Sequence, residues 1–306
     1  MNKERILITG GSGFVGTNFI SNLSTDKYEI FSLDIEDPKK IIEKVDYIKM
    51  DIRSNEIEHL VKKVNPSIVI HMAAQASVAI SSKDPELDND INLKGSLNLF
   101  LKILNINLKN FIFFSTGGAI YGEEVGKQFS ETDFPKPLSP YGISKLNFEN
   151  YLNYFSSVGI SKFNTTVLRP SNIYGPWQNP KGEAGVVSIF GDKMLKDIEV
   201  SIFGSGEEYR DYIYVKDVVD FILMLLNTEI SGTFNLSSGV SAKTIDIFNN
   251  LSKIIGYKKL PLFDDKREGD IFGIELDNSK SISLGWKPQI DLVTGLINTV
   301  NFLKGQ

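Results

Sequence analysis

Tyr141 and Lys145 are the residues whose types and spacing point most directly to chemistry in this chain. They stand four positions apart, so on a helix both side chains lie on one face. A phenol beside a fixed ammonium ionises more readily than its reference pKa of about 10 implies. Such a phenol can take or return the proton of a substrate hydroxyl near neutral pH. The pair therefore predicts an acid/base site.

Four glycines near the N-terminus form a second candidate site. They fit Gly11-x-Gly13-x-x-Gly16 and equally Gly10-x-x-Gly13-x-x-Gly16, after a short apolar strand and at the start of a helix. Glycine at these positions permits a tight turn and a close approach of the backbone to a pyrophosphate, which the helix N-terminus stabilises. The pattern predicts a dinucleotide site.

Two acidic positions belong to the same prediction. Asp34 ends the second apolar strand, where a carboxylate can accept hydrogen bonds from a ribose 2′-hydroxyl and repel a 2′-phosphate, which favours NAD over NADP. The alternative is a solvated loop acid, because Glu36 and Asp37 are close by. Asp51 and Ile52 follow the third strand and could flank the adenine, although Asp51 could instead cap a helix.

The composition excludes several classes of protein. The 306 residues suffice for one large or two moderate domains, and the net charge of −5 argues against nucleic acid as a partner. The absence of Cys excludes disulfides, thiolate catalysis and Cys-ligated zinc. Two histidines, His59 and His71, are too few for a His-rich metal site, and a Ser-His-Asp triad would have to use one of them. We predict no metal site.

The location is predicted from what the sequence lacks. Residues 1–6 contain an acid ahead of a short apolar strand, which is not the pattern of a signal peptide. No apolar run approaches the ~18–20 residues of a membrane span. We expect a cytoplasmic protein with no membrane partner.

Short apolar runs alternate with helical patterns in the first half of the chain. The runs at 5–9, 28–34, 47–50, 67–72 and 111–115 are typical of strands, and the stretches at 15–23, 56–64 and 91–104 are typical of helices. A further helix at 141–155 precedes a strand at 165–168. This alternation predicts an α/β fold, a Rossmann-type doubly wound parallel sheet with helices on both faces.

The pattern becomes irregular after residue 170, where Gly and Pro are frequent. We predict a dinucleotide-binding domain over residues 1–170, with a return of the chain to it at about 214–238. Residues 171–213 and 239–306 would form a smaller α+β portion that binds substrate.

Ordered motifs along the chain carry a family resemblance. The glycine pattern, His-Met-Ala-Ala-Gln at 71–75, Ser-Thr-Gly-Gly-Ala-Ile-Tyr-Gly at 115–122 and the Tyr-Lys pair occur in that order. The chain resembles the extended short-chain dehydrogenase/reductases and, more narrowly, the NAD-dependent nucleotide-sugar epimerase/dehydratase family. Segments 168–176, 202–206, 210–215 and 267–270 extend the resemblance to nearly the whole chain.

The resemblance implies three catalytic residues. Tyr141 would exchange the proton of the sugar O4, and Lys145 would bind the nicotinamide ribose and favour the tyrosinate. Thr116, with Ser115 as second candidate, would hydrogen-bond the same sugar oxygen. Many 4-epimerases carry that hydroxyl at the position of Gly117. Either Thr116 reaches in from one position earlier, or the site works with less help.

The resemblance also implies the binding residues. Those expected to bind NAD are Gly10, Gly13, Phe14, Val15, Gly16, Asp34, Asp51, Ile52, Ala73, Tyr141, Lys145 and Pro170. Those expected to bind the sugar nucleotide are Ser115, Thr116, Asn172, Ser201, Phe203, Arg210 and Arg267. The arginines suit bidentate contacts with a diphosphate, although an ion pair would explain either, and Phe203 could be plain core. His71 is interpreted as structural.

The reaction implied is 4-epimerisation of a UDP-hexose by hydride transfer from sugar C4 to NAD, rotation of the 4-keto sugar and hydride return. The family's 4,6-dehydratases carry an acidic pair where this chain has Gly118 and Ala119. A dehydratase or another NAD-dependent sugar-nucleotide oxidoreductase is the alternative, and a non-catalytic NAD-binding regulator is a third. The sugar could be glucose/galactose or the N-acetylated pair, and Ile274 does not decide between them. The resemblance also implies a homodimer through a helix pair, with the helices at 91–104 and 141–155 as candidates.

Overall fold

The computed structural model describes residues 3–181, 185–266 and 271–305. The strands, in chain order, are β1 (Glu4–Thr9), β2 (Tyr28–Asp34), β3 (Val45–Lys49), β4 (Ile68–His71), β5 (Asn110–Phe114), β6 (Gln128–Phe129), β7 (Asn164–Pro170), β8 (Asn172–Tyr174), β9 (Ser201–Phe203), β10 (Tyr209–Tyr214), β11 (Gly232–Leu236), β12 (Ser241–Lys243), β13 (Leu262–Asp264) and β14 (Gly273–Leu276).

A π-helical segment covers Asp90–Gly95. The α-helices are α1 (Phe14–Asn22), α2 (Ile57–Val64), α3 (Val78–Lys83), α4 (Pro85–Asn89), α5 (Ser96–Ile103), α6 (Gly117–Ile120), α7 (Pro140–Ser157), α8 (Val186–Leu195), α9 (Val215–Leu225), α10 (Thr244–Ile255), α11 (Ser279–Ser283) and α12 (Leu292–Lys304).

The main sheet has seven strands in the order β11-β7-β5-β4-β1-β2-β3, and every neighbouring pair is parallel. The chain reverses its direction of winding between β1 and β4, and in such sheets the crevice at the carboxyl ends of the strands receives the ligand. The predicted fold class, a doubly wound parallel sheet, is confirmed.

Alternating residues of the strands supply two cores. In β1, Ile6 and Ile8 pack into a cluster with residues of α1 and α9, whereas Leu7 faces a cluster with residues of α2, α5 and α7. Phe148 of α7 lies in this second core and is fully buried. Tyr141 and Lys145 stand in the two turns of α7 that precede Phe148. The packing of Phe148 therefore fixes the position of these two residues relative to the sheet.

A smaller mixed sheet forms beside the main one. Its order is β12-β10-β14-β6, and β8 pairs with β10. Helices α8, α10 and α12 pack on one another in a third core around Phe190, Leu251 and Leu296. Strand β6 comes from within residues 1–170, so the first segment of the chain also contributes to this sheet.

The helix predicted at 91–104 is divided in the structure. Residues Asp90–Gly95 are π-helical, and α5 begins only at Ser96. The amide of Asn92 is bonded to both backbone groups of Gln75, and Ser96 Oγ donates to Asn92 O over 2.5 Å. The Ser96 hydroxyl thus gives the Asn92 carbonyl a side-chain partner, and the Asn92 side chain joins the π-helical segment to Gln75. Short π-helical turns are frequent at functional sites.

Within the described ranges, no helix has the length and apolar composition needed to cross a membrane. The expected cytoplasmic location stays a prediction.

Candidate active site

A cavity of about 950 Å³ opens at the carboxyl ends of the parallel strands. It is lined from both sheets, which brings together residues far apart in the sequence. The predicted residues that line it are Gly10, Gly13, Phe14, Val15, Gly16, Asp34, Asp51, Ile52, Ala73, Ser115, Thr116, Tyr141, Lys145, Pro170, Asn172 and Arg210.

The glycine-rich loop is closed by backbone contacts. Gly10 has φ +75°, and a Cβ added there would lie 2.6 Å from the backbone nitrogen of Ala73. A Cβ on Gly16 would lie 2.3 Å from Gly10 O, so a side chain at 16 would push α1 away from β1. The loop and the start of α1 therefore present bare backbone to the cavity, which fits the pyrophosphate of a dinucleotide.

Asp34 is bonded to this loop. Its carboxylate accepts hydrogen bonds from the backbone N–H of Ser12, over 2.9 Å, and of Glu36, over 3.0 Å. The carboxylate is therefore held at the rim of the cavity and is not a freely solvated loop acid. A ribose 2′-hydroxyl can donate to such a carboxylate, whereas a 2′-phosphate would meet the negative charges of Asp34 and Glu36.

Asp51 is clamped by a neighbour that the sequence analysis did not single out. Arg53 contacts the Asp51 carboxylate at 2.6 Å and Asp90 at 2.8 Å. The side-chain hydrogen bonds of Arg53 hold the pKa of Asp51 below its usual value. The alternative of a helix cap at Asp51 is wrong, because Glu56 is the N-cap of α2. Arg53 also lines the cavity and is fixed by the same bonds.

His71 is a buried structural residue. Thr9 Oγ1 lies 2.6 Å from its Nδ1, and Ser96 Oγ lies 2.8 Å from its Nε2. Because Ser96 gives its proton to Asn92 O, Ser96 Oγ accepts from Nε2–H, and Thr9 donates to Nδ1. Burial, with a smaller contribution from the Lys145 charge, lowers the pKa of His71 to about 3, so the ring is neutral.

Lys145 is buried beneath the cavity. Its Nζ donates to Phe114 O over 2.8 Å and lies 4.8 Å from the centre of the Phe113 ring. Burial lowers the pKa of Lys145 to about 7, and the charges of Asp88 and Glu149 oppose that fall. The ammonium is thus fixed in place, and two carboxylates help it to keep its proton near neutral pH.

Tyr141 enters the cavity from the first turn of α7. Ser139 caps that helix and accepts from the N–H of Gly142 over 3.2 Å. A Cβ on Gly142 would lie 2.3 Å from Ala119 O, so α7 begins in direct contact with α6. This contact brings the helix that carries Tyr141 against α6, which begins directly after Thr116.

The geometry around residues 115–117 indicates which of these positions can offer a hydroxyl to the cavity. Ser115 Oγ donates to the buried carboxylate of Glu149, which is paired with Arg169. A Cβ on Gly117 would lie 2.3 Å from Leu276 Cδ1 and 2.8 Å from Arg169 O, so the backbone leaves no room for a side chain there. Among the described residues, Thr116 has no hydrogen-bond partner for its hydroxyl, and it lines the cavity.

The other end of the cavity is built from side chains. The guanidinium of Arg210 donates to Tyr209 O and Ile271 O, both over 2.8 Å, which holds it in the wall. Asn172 faces Gly118, since a Cβ at 118 would lie 3.2 Å from Asn172 Oδ1. Both groups line the cavity, and their predicted roles at a diphosphate and a hexose stay predictions.

Two predicted substrate residues do not line the cavity as described, and a third lies outside the described residues. Ser201 and Phe203 stand on β9, which pairs with β13, and neither lines the cavity as described. Phe203 is 38% exposed, so it is not plain core. Arg267 lies outside the described residues. Their roles stay predictions. Ile274 is buried and is not among the described residues that line the cavity.

Several lining residues were missed by the sequence analysis. Gln178, Val186, Tyr212, Thr244 and Ile271 line the substrate end. Only Tyr212 carries a usable signal, since it stands two residues after Arg210 on one strand and so faces the same side. The others come from separate elements that meet only in the folded chain.

The segment 175–181 crosses from the smaller sheet to the cofactor end. Asn18 of α1 donates to Pro176 O over 2.8 Å, and Lys39 donates to Trp177 O over 3.2 Å. Trp177 has φ +70°, an uncommon conformation for a residue with a side chain, and its ring packs on Phe302. The segment is therefore attached at both sides of the cavity, and its own residue Gln178 lines the cavity.

Within the part of the chain that the structure describes, no group of three or more potential metal-ligating side chains is assembled.

Comparisons with known proteins extend over nearly the whole chain. The sequence pattern of the NAD dependent epimerase/dehydratase family matches residues 6–237. The UDP-glucose 4-epimerase of Thermotoga maritima, solved with UDP-glucose, is 40% identical with a TM-score of 0.94, covering 98% of this chain and 99% of that one. The UDP-glucose 4-epimerase of Thermus thermophilus, solved with NAD, is 34% identical with a TM-score of 0.92 over the same shares. The UDP-glucose 4-epimerase of Mycolicibacterium smegmatis is 32% identical over 312 residues, 99% of each chain.

Proposed function

The chain belongs to the NAD dependent epimerase/dehydratase family, and on that premise we propose that it is a 4-epimerase of a UDP-hexose. The candidate substrates are UDP-glucose/UDP-galactose or their N-acetylated counterparts. The observation that carries the proposal is the meeting of Tyr141, Lys145 and Thr116 with the glycine-rich loop in one cavity. NAD, the cofactor of the family, supplies a hydride acceptor that becomes a hydride donor within the same turnover.

The chain's own residues would move the proton and hold the reacting oxygen. Tyr141 accepts the proton of the sugar O4 as the C4–H bond breaks, and it returns that proton when hydride comes back to C4. The buried ammonium of Lys145 stabilises the tyrosinate. Thr116 offers its hydroxyl to the same oxygen, and Arg210 and Asn172 hold the diphosphate while the sugar turns.

The wall beside the hexose favours epimerisation over dehydration. Loss of water needs an acid and a base near the sugar, and this chain has Gly118 and Ala119 at the family's acidic positions. Gly118 also lies so close to Asn172 Oδ1 that a side chain there would press on it. The small residues leave room for a 4-keto sugar to present its other face.

The test uses the full-length protein as purified, with no added NAD. UDP-galactose and UDP-N-acetylgalactosamine are incubated separately with it, and the sugars are separated by chromatography. We expect the C4 epimer of at least one of them, and the ratio of rates identifies the hexose. A 4-keto-6-deoxy product would instead show a dehydratase. Bound NAD without any product would support the regulator.

We also propose a homodimer that uses α5 and α7. The two charged residues of α7, Lys145 and Glu149, are both buried, so its exposed stripe is uncharged. That stripe includes Tyr151, which is 43% exposed, and Tyr154, which is 54% exposed. Surface helices of monomers usually carry charge on the exposed face. A second copy of the same helices would cover this stripe through a twofold contact.

Sedimentation measurements test the dimer. The molar mass from sedimentation should be twice the chain mass of 34.2 kDa for the wild-type protein. For the double variant Tyr151→Glu/Tyr154→Glu it should equal the mass of one chain. Val240→Glu, at an exposed apolar residue away from these helices, is the matched control and should remain a dimer. A wild-type monomer at micromolar concentration would contradict the proposal.

A further inference from the structure

Asp88 is a fully buried carboxylate that the proposed chemistry does not use. Its Oδ1 accepts from Gln75 Nε2 over 2.8 Å and from Asn92 Nδ2 over 3.0 Å. Its Oδ2 accepts from Ser144 Oγ over 2.6 Å. A buried acid is costly unless its oxygens are bonded, so three donors around one carboxylate mark a built position.

The orientation of each donor is settled by its other bonds. Gln75 Oε1 accepts from the N–H of Ser77, so its amide nitrogen faces Asp88. Asn92 Oδ1 accepts from the N–H of Gln75, so its nitrogen also faces Asp88. Ser144 can donate to Asp88 at 2.6 Å or to Tyr141 O at 3.0 Å, and the shorter bond to a carboxylate is the stronger one.

These three donors come from three separate parts of the site. Gln75 follows β4, next to the cavity-lining Ala73 and Ala74. Asn92 stands in the π-helical segment Asp90–Gly95. Ser144 stands in α7, directly before Lys145 and three residues after Tyr141. One carboxylate thus joins the cofactor side of the cavity to the turn of α7 that carries the acid/base pair.

Asp88 also differs in charge balance from the other carboxylate near Lys145. Glu149 is paired with Arg169 at 2.5 Å. Asp88 makes no ion pair among the described residues, and its hydrogen bonds come from neutral groups. His71, which also interacts with the Lys145 charge, is neutral. The negative charge of Asp88 therefore acts on Lys145, whose pKa it raises, without an ion-paired cation to offset it among the described residues.

We propose that Asp88 is a positioning residue of the active site, which fixes the helical turn between Tyr141 and Lys145 through Ser144 and keeps the Lys145 ammonium charged. This inference rests on the proposed function, since it assigns Asp88 a role in the proton transfer of the same site.

The variant Asp88→Asn removes the charge and keeps the shape. Its new amide nitrogen would face Ser144 Oγ, whose proton can turn to Tyr141 O at 3.0 Å, so the network can be satisfied again. Loss of a nearby negative charge lowers the pKa of both Lys145 and Tyr141. Both limbs of the kcat–pH profile should move to lower pH by about one unit, so activity falls about tenfold along the alkaline limb and rises along the acid limb.

Two further variants separate charge from geometry. Ser144→Ala keeps the charge and breaks the bond to α7, and it should lower kcat about tenfold without moving either limb, with KM unchanged. Asp26→Asn, at an exposed surface acid, is the control and should change neither quantity. If Asp88→Asn lowers activity equally at every pH, or if Ser144→Ala leaves kcat unchanged, the proposal is overturned.

A readout that needs no sugar keeps this inference separate from the proposed function. The ultraviolet absorbance of tyrosinate is titrated in the NAD-loaded protein, and the titration of Tyr141→Phe is subtracted to isolate Tyr141. Asp88→Asn should lower the pKa of Tyr141 by about one unit. An unmoved titration overturns the role of Asp88 even where epimerase activity is present. A Tyr141 shift in Asp88→Asn, together with a wild-type protein that forms no epimer, refutes the 4-epimerase alone.

Discussion

The two ends of the cavity are constructed in different ways. At the cofactor end, the glycine loop, the end of β2 and the end of β4 meet because neighbouring parallel strands finish at one edge. The glycine loop there packs through backbone atoms, such as Gly16 against Gly10 O, and the Asp34 carboxylate bonds to the backbone N–H of Ser12. At the substrate end, Asn172, Arg210 and Tyr212 project as side chains from two short strands, and Gln178 comes from a connecting segment.

This difference predicts which end of the cavity tolerates amino-acid substitutions. A backbone-built end tolerates few substitutions, because a single Cβ displaces a helix or a strand. A side-chain-built end can change its ligand by exchanging residues on a fixed frame. The substrate end is therefore where members of one fold can differ in the sugar nucleotide they take, and Tyr141 stands at the boundary.

The largest effect is expected at that boundary. Tyr141→Phe should lower kcat by ~10²-fold or more, the scale of general acid/base catalysis, while NAD content stays unchanged. Tyr154→Phe, on the exposed stripe of the same helix, is the matched control and should keep its activity. Turnover and bound NAD are measured on the same preparations. Unchanged turnover in Tyr141→Phe would remove the residue from its role.

Because His71 is buried at the cofactor end, the stability of the protein should depend on pH. His71 has a folded pKa of about 3 against 6.5 when unfolded, so the unfolded chain binds the extra proton and stability is lost as the pH falls below 6.5. The free energy of unfolding should drop by about 2 kcal/mol between pH 7 and pH 5 from this group. Urea unfolding measures it. His71→Gln should flatten the dependence, and the exposed His59→Gln should not.

The substrate end should respond in affinity and not in stability. Arg210→Lys keeps the charge and loses the planar fork, so UDP should bind about tenfold more weakly, the value of one hydrogen bond to a charged group. Calorimetric titration with UDP measures this. Arg5→Lys, at an exposed ion pair, is the control. Equal affinity in both variants would place the diphosphate elsewhere.

The smallest expected effect is on the choice of cofactor. Asp34→Ala removes the acceptor at the rim, so NADH should bind about fivefold more weakly, and NADPH should gain because a repulsive charge is lost. Fluorescence titration with both cofactors gives the ratio. Asp37→Ala, at an exposed acid that pairs with Lys49, should leave that ratio unaltered. A ratio unaffected by Asp34→Ala would show that the backbone alone sets the preference.

The sequence predicted those parts of the structure that depend on a local pattern of residues. The strands β1, β2, β4 and β5, the glycine loop and the Tyr141–Lys145 helix are each readable within a short window, because strand and helix periods are local. The parallel arrangement then follows from their alternation. The π-helical turn was not readable, since it depends on bonds between Asn92 and Gln75, which belong to separate elements.

The rest depended on contacts between distant positions. Glu149 and Arg169 form a buried ion pair, Arg169 donates to Tyr121 over 2.8 Å, and Tyr121 donates to Asn235 over 2.7 Å. No local pattern links these four positions, yet this network occupies the Ser115 hydroxyl and leaves Thr116 as the candidate at the sugar. Similarly, the steric exclusion at Gly117 comes from Arg169 and Leu276, which the sequence places far away.

The attached segment 175–181 has a kinetic consequence. Two bonds, from Asn18 to Pro176 O and from Lys39 to Trp177 O, hold the segment, and we expect them to slow the exit of a bound cofactor on that side. A long residence time of the bound cofactor is compatible with a cycle in which hydride is transferred to the cofactor and then returned, because that cycle needs no new cofactor from solution. A dehydrogenase that consumes one cofactor per product would be slowed by the same attachment. We therefore expect slow exchange of the cofactor while these two bonds are closed.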